Sequence, residues 1–150
     1  MKWPFWKKKS NSNGTFRRLP WYSDGLKFTC TRCGQCCTGG PGNVWVNEND
    51  IAVLAEKFQS SLDAFKGKYV RTVGDRLSFH ERENGDCIFF DRTQGCSVYE
   101  LRPLQCKTWP FWEQNVACWS DWKDVCRVCP GAGVGELHGL TEIEKQKTKV

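Results

Sequence analysis

Apolar residues in the middle of the chain recur at helical spacing. Ile51, Leu54, Ala55 and Phe58 stand at i, i+3, i+4 and i+7, one face of a helix. Asn47 precedes them as an N-cap, with Asp50 at the third position of a capping box. Ser60 and Asp63 repeat that logic ahead of Leu62, Phe65 and Tyr69, which mark a second short helix. Val44-Trp45-Val46 is a short strand. Residues 70–73 and 77–82 suggest two more, joined through Gly74-Asp75. Asn84-Gly85 is a tight-turn signal leading into a strand at Cys87-Ile88-Phe89-Phe90. A turn at 91–95 and a helical turn at 97–101 follow, then a third helix from about residue 117 to residue 125.

The rest of the chain is punctuation. Residues 21–42 read as loop, because Thr38-Gly39-Gly40-Pro41-Gly42 cannot hold regular structure. Cys129-Pro130-Gly131 is a turn that ends the ordered part. The glycine-rich run 131–135 follows Cys-Pro rather than a strand, so it reads as a turn and not as a phosphate loop. The expected fold is a small, loop-rich α+β domain over residues 21–140. It has two to three short helices and a few short antiparallel strands. A basic, aromatic tail (1–20) and a charged tail or frayed helix (141–150) flank it.

Composition adds the decisive feature. One 150-residue domain carries ten cysteines. They are disulfides in a secreted protein or metal thiolates in a reducing cell. The N-terminus Met1-Lys2-Trp3-Pro4-Phe5-Trp6-Lys7-Lys8-Lys9 has the charge of a signal peptide without its apolar stretch. No run elsewhere is long and apolar enough to span a membrane. The expectation is a cytoplasmic chain with reduced, metal-binding thiols and a fold stabilised by that metal.

Net charge is +5, but residues 1–18 hold six basic side chains and no acid, so the remainder sums to −1. The basic balance belongs to the tail, and composition gives no support for nucleic-acid binding by the folded body. Trp3, Phe5 and Trp6 beside the lysines allow weak contact with an anionic membrane surface; a solvated terminus is the plainer reading. Trp3-Pro4-Phe5-Trp6 recurs verbatim as Trp109-Pro110-Phe111-Trp112, with no repeat of domain size around it.

The chemistry centres on Cys30, Cys33, Cys36 and Cys37, spaced C-x2-C-x2-C-C. A C-x2-C pair aims two sulfurs from one turn at one ion. Gly34 lets the backbone curl so that amide N–H groups can face sulfur. C-x2-C-x2-C supplies three corners of a cubane from one loop. Successive side chains diverge, so Cys36 and Cys37 are expected to feed different faces and hint at two sites on one loop.

Further motifs follow in order. They are Gly85-x-Cys87-x-Phe89, Gly95-Cys96-Ser97-Val98-Tyr99, Arg102-Pro103-x-x-Cys106, Trp109-Pro110-Phe111 and Cys129-Pro130-Gly131. With Phe28-x-Cys30-x-x-Cys33-Gly34-x-Cys36-Cys37 they resemble the YkgJ-type cysteine-cluster (CxxCxxCC) family, described as zinc- or iron-chelating, over roughly residues 25–140. The resemblance implies Cys30, Cys33, Cys36, Cys37, Cys87, Cys96, Cys106 and Cys129 as metal ligands. Cys118 and Cys126 are extra to that pattern. Related domains occur in flagellin lysine methylases, and no likeness outside the cluster domain carries that activity here.

Eight thiols divide into two four-ligand sites. Cys30, Cys33, Cys36 and Cys129-Pro130 mimic a bacterial 4Fe–4S site, leaving Cys37, Cys87, Cys96 and Cys106 for a second. Four-thiolate zinc is equally legal, and either metal leaves about −2 per site. Arg102, facing the cofactor, and Lys107 are the cations expected to balance it. Phe89, Phe90, Tyr99, Trp109, Phe111 and Trp112 are core residues that also exclude water. His80 and His138 read as non-ligands.

No catalytic dyad or nucleotide motif is present. The favoured reading is an iron–sulfur protein, 4Fe–4S over zinc, with a redox or electron-transfer role. It would serve an oxidoreductase through an unidentified redox or protein partner. The alternatives are a zinc-stabilised interaction module and a methyltransferase-related accessory protein.

Overall fold

A computed structural model describes residues 8–10 and 16–147. In chain order the elements begin with strands β1 (Lys8–Ser10), β2 (Phe16–Arg18), β3 (Leu26–Phe28) and β4 (Trp45–Val46). Helices α1 (Glu48–Lys57) and α2 (Leu62–Tyr69) lead to strands β5 (Val70–Val73), β6 (Arg76–Phe79), β7 (Phe90–Asp91) and β8 (Gly95–Cys96). Helices α3 (Leu104–Thr108), α4 (Glu113–Val116) and α5 (Trp119–Val128), strand β9 (Ala132–His138) and helix α6 (Leu140–Lys147) complete them. The class is α+β, with antiparallel strand pairs throughout the described residues. Trp3-Pro4-Phe5-Trp6, on which the membrane-surface expectation rests, lies outside the described residues. Among the described residues no helix is long and apolar enough to cross a membrane. The chain divides into two compact units.

The unit Cys30–Trp109 packs α1 and α2 with the three-stranded sheet β4-β6-β5. Trp45 stands opposite Ser78, and Val70 opposite Phe79. The α1 capping box forms as its sequence requires. Asn47 Oδ1 accepts the Asp50 N–H at 2.9 Å, and the Asp50 carboxylate accepts the Asn47 N–H at 3.1 Å. Ser61, not Ser60, caps α2, accepting the Ala64 N–H at 3.2 Å. The Ser60 amide is still spent closing α1 on the Ala55 carbonyl, so the next residue takes the cap. Ile51, Leu54 and Phe65 are fully buried with Phe79 and Phe89. The Phe89 ring lies 4.8 Å from Phe79 and 5.0 Å from Tyr69, centroid to centroid, which pins the Cys87 segment to the core.

The strand expected at 87–90 is shorter and starts later. Cys87 makes a single bridge to Glu81, and the chain turns at once, with the Phe90 N–H on the Cys87 carbonyl at 2.9 Å. Only Phe90–Asp91 pairs, with Gly95–Cys96. The Cys87 amide is spent on the Cys37 carbonyl at 2.8 Å, which takes it out of any ladder.

The second unit joins the chain up to Thr29 with the chain from Pro110 onward. Here the loop and turn expectations are corrected. Residues 26–28 form β3, and the glycine-rich run belongs to β9, paired with it from Leu26↔His138 to Phe28↔Ala132 across a bulge. The glycines make that pairing possible. A Cβ at Gly131 would sit 2.1 Å from the Thr29 carbonyl oxygen, and one at Gly135 2.3 Å from its hydroxyl. Tertiary contact, not local pattern, makes this strand. The charged segment after Leu140 is helix α6, whose Ile143 is fully buried. Phe111 stacks on Trp122 and meets Phe28 edge-on.

His138 ties this unit together. Its Nε2 meets the Phe28 carbonyl and its Nδ1 the Glu142 carboxylate, each at 2.9 Å. Burial opposes its charge, but the bonds to Glu142 and Phe28 outweigh that and raise its pKa. A raised pKa stabilises the fold below the unfolded value, and the contribution is lost as pH rises through the folded value. Thermal unfolding between about pH 6 and about pH 8 should therefore show a downward trend that His138→Gln removes. An equal slope in both proteins would contradict this role.

Candidate metal centre

The cysteine loop is set by one glycine. Gly34 adopts φ 76° and opens the single 3-10 turn Gln35–Cys37, whose Cys37 N–H returns to the Gly34 carbonyl at 2.8 Å. Any Cβ at Gly34 would lie 2.2 Å from the Phe90 ring. The turn brings the Cys36 and Cys37 sulfurs to 4.0 Å of each other. The expected divergence of this pair is not met. Neighbours on a three-residue turn stand only a third of a turn apart, close enough for two sulfurs to meet.

Cys37 hydrogen-bonds to both Cys36 and Cys96. Cys87 and Cys106 feel the charges of Cys36 and Cys96, so Cys36, Cys37, Cys87, Cys96 and Cys106 gather in one nest within this unit. Two full charges 4 Å apart at an effective dielectric of 20 repel by about 4 kcal/mol, so the nest cannot ionise completely on its own. The Cys37 hydrogen bond lowers Cys36 to about 7 and Cys96 to about 6. The same two bonds push Cys37 far up, because its proton is shared by both neighbours. Burial raises Cys87, and it pushes Cys106 up to about 12. Arg102 favours the thiolates of Cys36, Cys96 and Cys106.

The backbone also faces the sulfurs. The Arg32 N–H points at the Cys30 sulfur at 3.4 Å. That amide lies two residues after the cysteine, an arrangement that lets a metal-bound thiolate shed charge. The backbone at Phe89 and Val98 likewise favours the Cys87 and Cys96 thiolates.

Cys129 is buried in the other unit, beside Cys126, whose thiol is raised by burial and then by Cys129. Cys118 caps α5 and meets the Asp121 carboxylate at 3.0 Å. His138 spends both ring nitrogens on Phe28 and Glu142. Sequence reasoning missed Arg32 and Tyr99 as neighbours of Cys30. Tyr99 was legible only as a member of an aromatic set, and nothing local marks Arg32, which sits at φ 58° between two cysteines.

The donor chemistry fits a soft metal: thiols crowded together, amide donors on their sulfurs and one guanidinium beside them. Among the described residues no three His, Cys, Asp or Glu side chains converge as a finished ligand set.

The model of the CxxCxxCC family, described as a "putative zinc- or iron-chelating domain", matches residues 29–130. The chain is similar to "Uncharacterized protein MJ0661" of Methanocaldococcus jannaschii, 31% identical over 91 residues, which is 60% of this chain and 48% of that protein. It thus spans about half the length of that relative. No solved structure matches.

Gly34→Ala should force φ and the Phe90 ring to yield together, costing about 1–3 kcal/mol. Denaturant unfolding should show that loss, and metal analysis should show less metal per chain than in the parent protein. Unchanged stability and loading would mean that the loop is not held as described.

Proposed function

This chain belongs to the CxxCxxCC zinc- or iron-chelating family, and on that footing we propose that it carries an iron–sulfur cluster, 4Fe–4S in kind, in a redox or electron-transfer role. The observation that carries the reading is the C-x2-C-x2-C loop whose first sulfur accepts an amide N–H two residues on. Such donors stabilise the added electron of a reduced cluster and so tune its potential. The ligands assigned are Cys30, Cys33, Cys36, Cys37, Cys87, Cys96, Cys106 and Cys129. Arg102 offsets the negative charge they leave. A bound cluster would supply one-electron transfer to an unidentified redox or protein partner in the reducing cytoplasm. The cysteines of this chain would hold it, and the Arg32 amide would donate to the Cys30 sulfur.

The knuckle shape at Cys33-Gly34 favours a second reading, a four-thiolate zinc site in an interaction module without redox chemistry. Purification without oxygen separates the two. The iron–sulfur reading expects a brown protein with iron and acid-labile sulfide in equal amounts. A colourless protein with stoichiometric zinc and no sulfide would sink it and support the zinc module.

Cys37→Ser tests the number of centres. Two centres predict loss of about half the metal, because only the site of Cys37, Cys87, Cys96 and Cys106 loses a ligand. Loss of all of it would show one shared centre or a fold that collapses without complete loading, which circular dichroism distinguishes.

A further inference from the structure

The segment that carries Cys87 opens on a buried charge. The Asp86 side chain is 2% exposed, while its partner Arg92 is 69% exposed, so the guanidinium is the outer half of the pair. One Arg92 nitrogen, Nη2, bridges both carboxylate oxygens, at 2.9 Å and 3.1 Å. Asn84 Nδ2 donates to the same carboxylate at 3.0 Å, and Asn84 Oδ1 accepts the Asp86 N–H at 3.1 Å. The Asp86 carbonyl accepts the Arg82 N–H at 2.8 Å. A buried carboxylate is costly to desolvate and persists only where such partners meet it. Side chain and backbone of Asp86 are thus both held in place.

The pair encloses the part of the segment that bears on the thiols. Asp86 directly precedes Cys87, whose N–H is fixed on the Cys37 carbonyl at 2.8 Å. Arg92 directly follows β7, whose Phe90 stands opposite Cys96 in β8. The ion pair therefore ties the backbone entering Cys87 to the backbone leaving the strand that pairs with Cys96. Between those points a turn, with the Phe90 N–H on the Cys87 carbonyl at 2.9 Å, takes the place of a ladder. No regular structure sets the span, so the side-chain pair is needed to close it. We propose that Asp86 and Arg92 are positioning residues for the metal: their ion pair is a clasp that fixes Cys87 relative to Cys96, and with it the spacing of the thiolates a metal meets. The inference rests on the metal-chelation reading. Phe90, inside the same clasp, also fills the space beside Gly34, so the clasp reaches the turn that carries Cys36 and Cys37.

The test is the rate at which the full chain, purified without oxygen, gives up its bound metal to excess EDTA. The contact uses one guanidinium nitrogen, which an ammonium can replace, so Arg92→Lys should keep the parent rate. Arg92→Gln stays polar at an exposed position but loses the charge. It should release metal about tenfold faster, the low end of what losing a partner outside the ligand set costs in metal affinity. Asp86→Asn should release it at least as fast, and the double variant no faster than Asp86→Asn, because the two residues act as one unit. Ile51→Val supplies the comparison: it trims the core and lowers the melting temperature, yet should release metal at the parent rate. If Asp86→Asn fails to fold, Arg92→Gln carries the test from the exposed side. A parent rate in Arg92→Gln overturns the proposal. So does an Ile51→Val protein that releases metal as fast as Arg92→Gln at the same loss of melting temperature, since stability alone would then explain both. A parent chain that holds neither zinc nor iron sinks the chelation reading and the clasp's role with it, a failure distinguished by its appearance before any substitution.

Discussion

Negative charge crowded onto sulfur is the constraint around which the Cys30–Trp109 unit is built. Five thiols share one small region, and two of them lie 4.0 Å apart. Without a cation among them they cannot all ionise, and Cys36 and Cys96 push the Cys37 thiol up. With a metal bound, all of them can ionise together. The Arg102 guanidinium lowers that repulsion at Cys36, Cys96 and Cys106, and the backbone at Phe89 and Val98 lowers it at Cys87 and Cys96.

The scaffold serves that arrangement by fixing backbone rather than by filling a pocket. Phe89 is rooted in the aromatic core, between Cys87 and the Phe90 amide that returns to the Cys87 carbonyl. Phe90, next along, fills the space that a side chain at Gly34 would need. Gly85 approaches Gly39 so closely that a Cβ would lie 2.3 Å from the Gly39 carbonyl. Loop and core are therefore tied at consecutive residues, and the cysteine loop needs no regular structure of its own to hold its shape. The second unit has a separate keystone. There Thr29, two glycines and His138 knit β3, β9 and α6.

Much of this was legible in the chain. The α1 capping box and its apolar face follow from Asn47, Asp50, Ile51 and Leu54, because helix capping and periodicity are local physics. The thiol spacing and ordered motifs marked the metal chemistry and the family, since ligands on one turn must be close in sequence. Local rules failed where a partner lay far along the chain. Residues 131–135 look like a turn, yet 132–135 fall within β9, because Thr29, about a hundred positions earlier, accepts the close approach of Gly131 and Gly135. Ser60 looks like a cap until α1 is seen to consume its amide.

For the site, sequence determined which atoms can bind metal, and that Gly34 must curl the loop. Only tertiary structure decided their company. It set Cys36 against Cys37, placed Cys96 within reach of both, and slid Tyr99 between Arg32 and Arg102. Donor identity is a property of single residues, whereas charge balance depends on distances that only the folded chain sets.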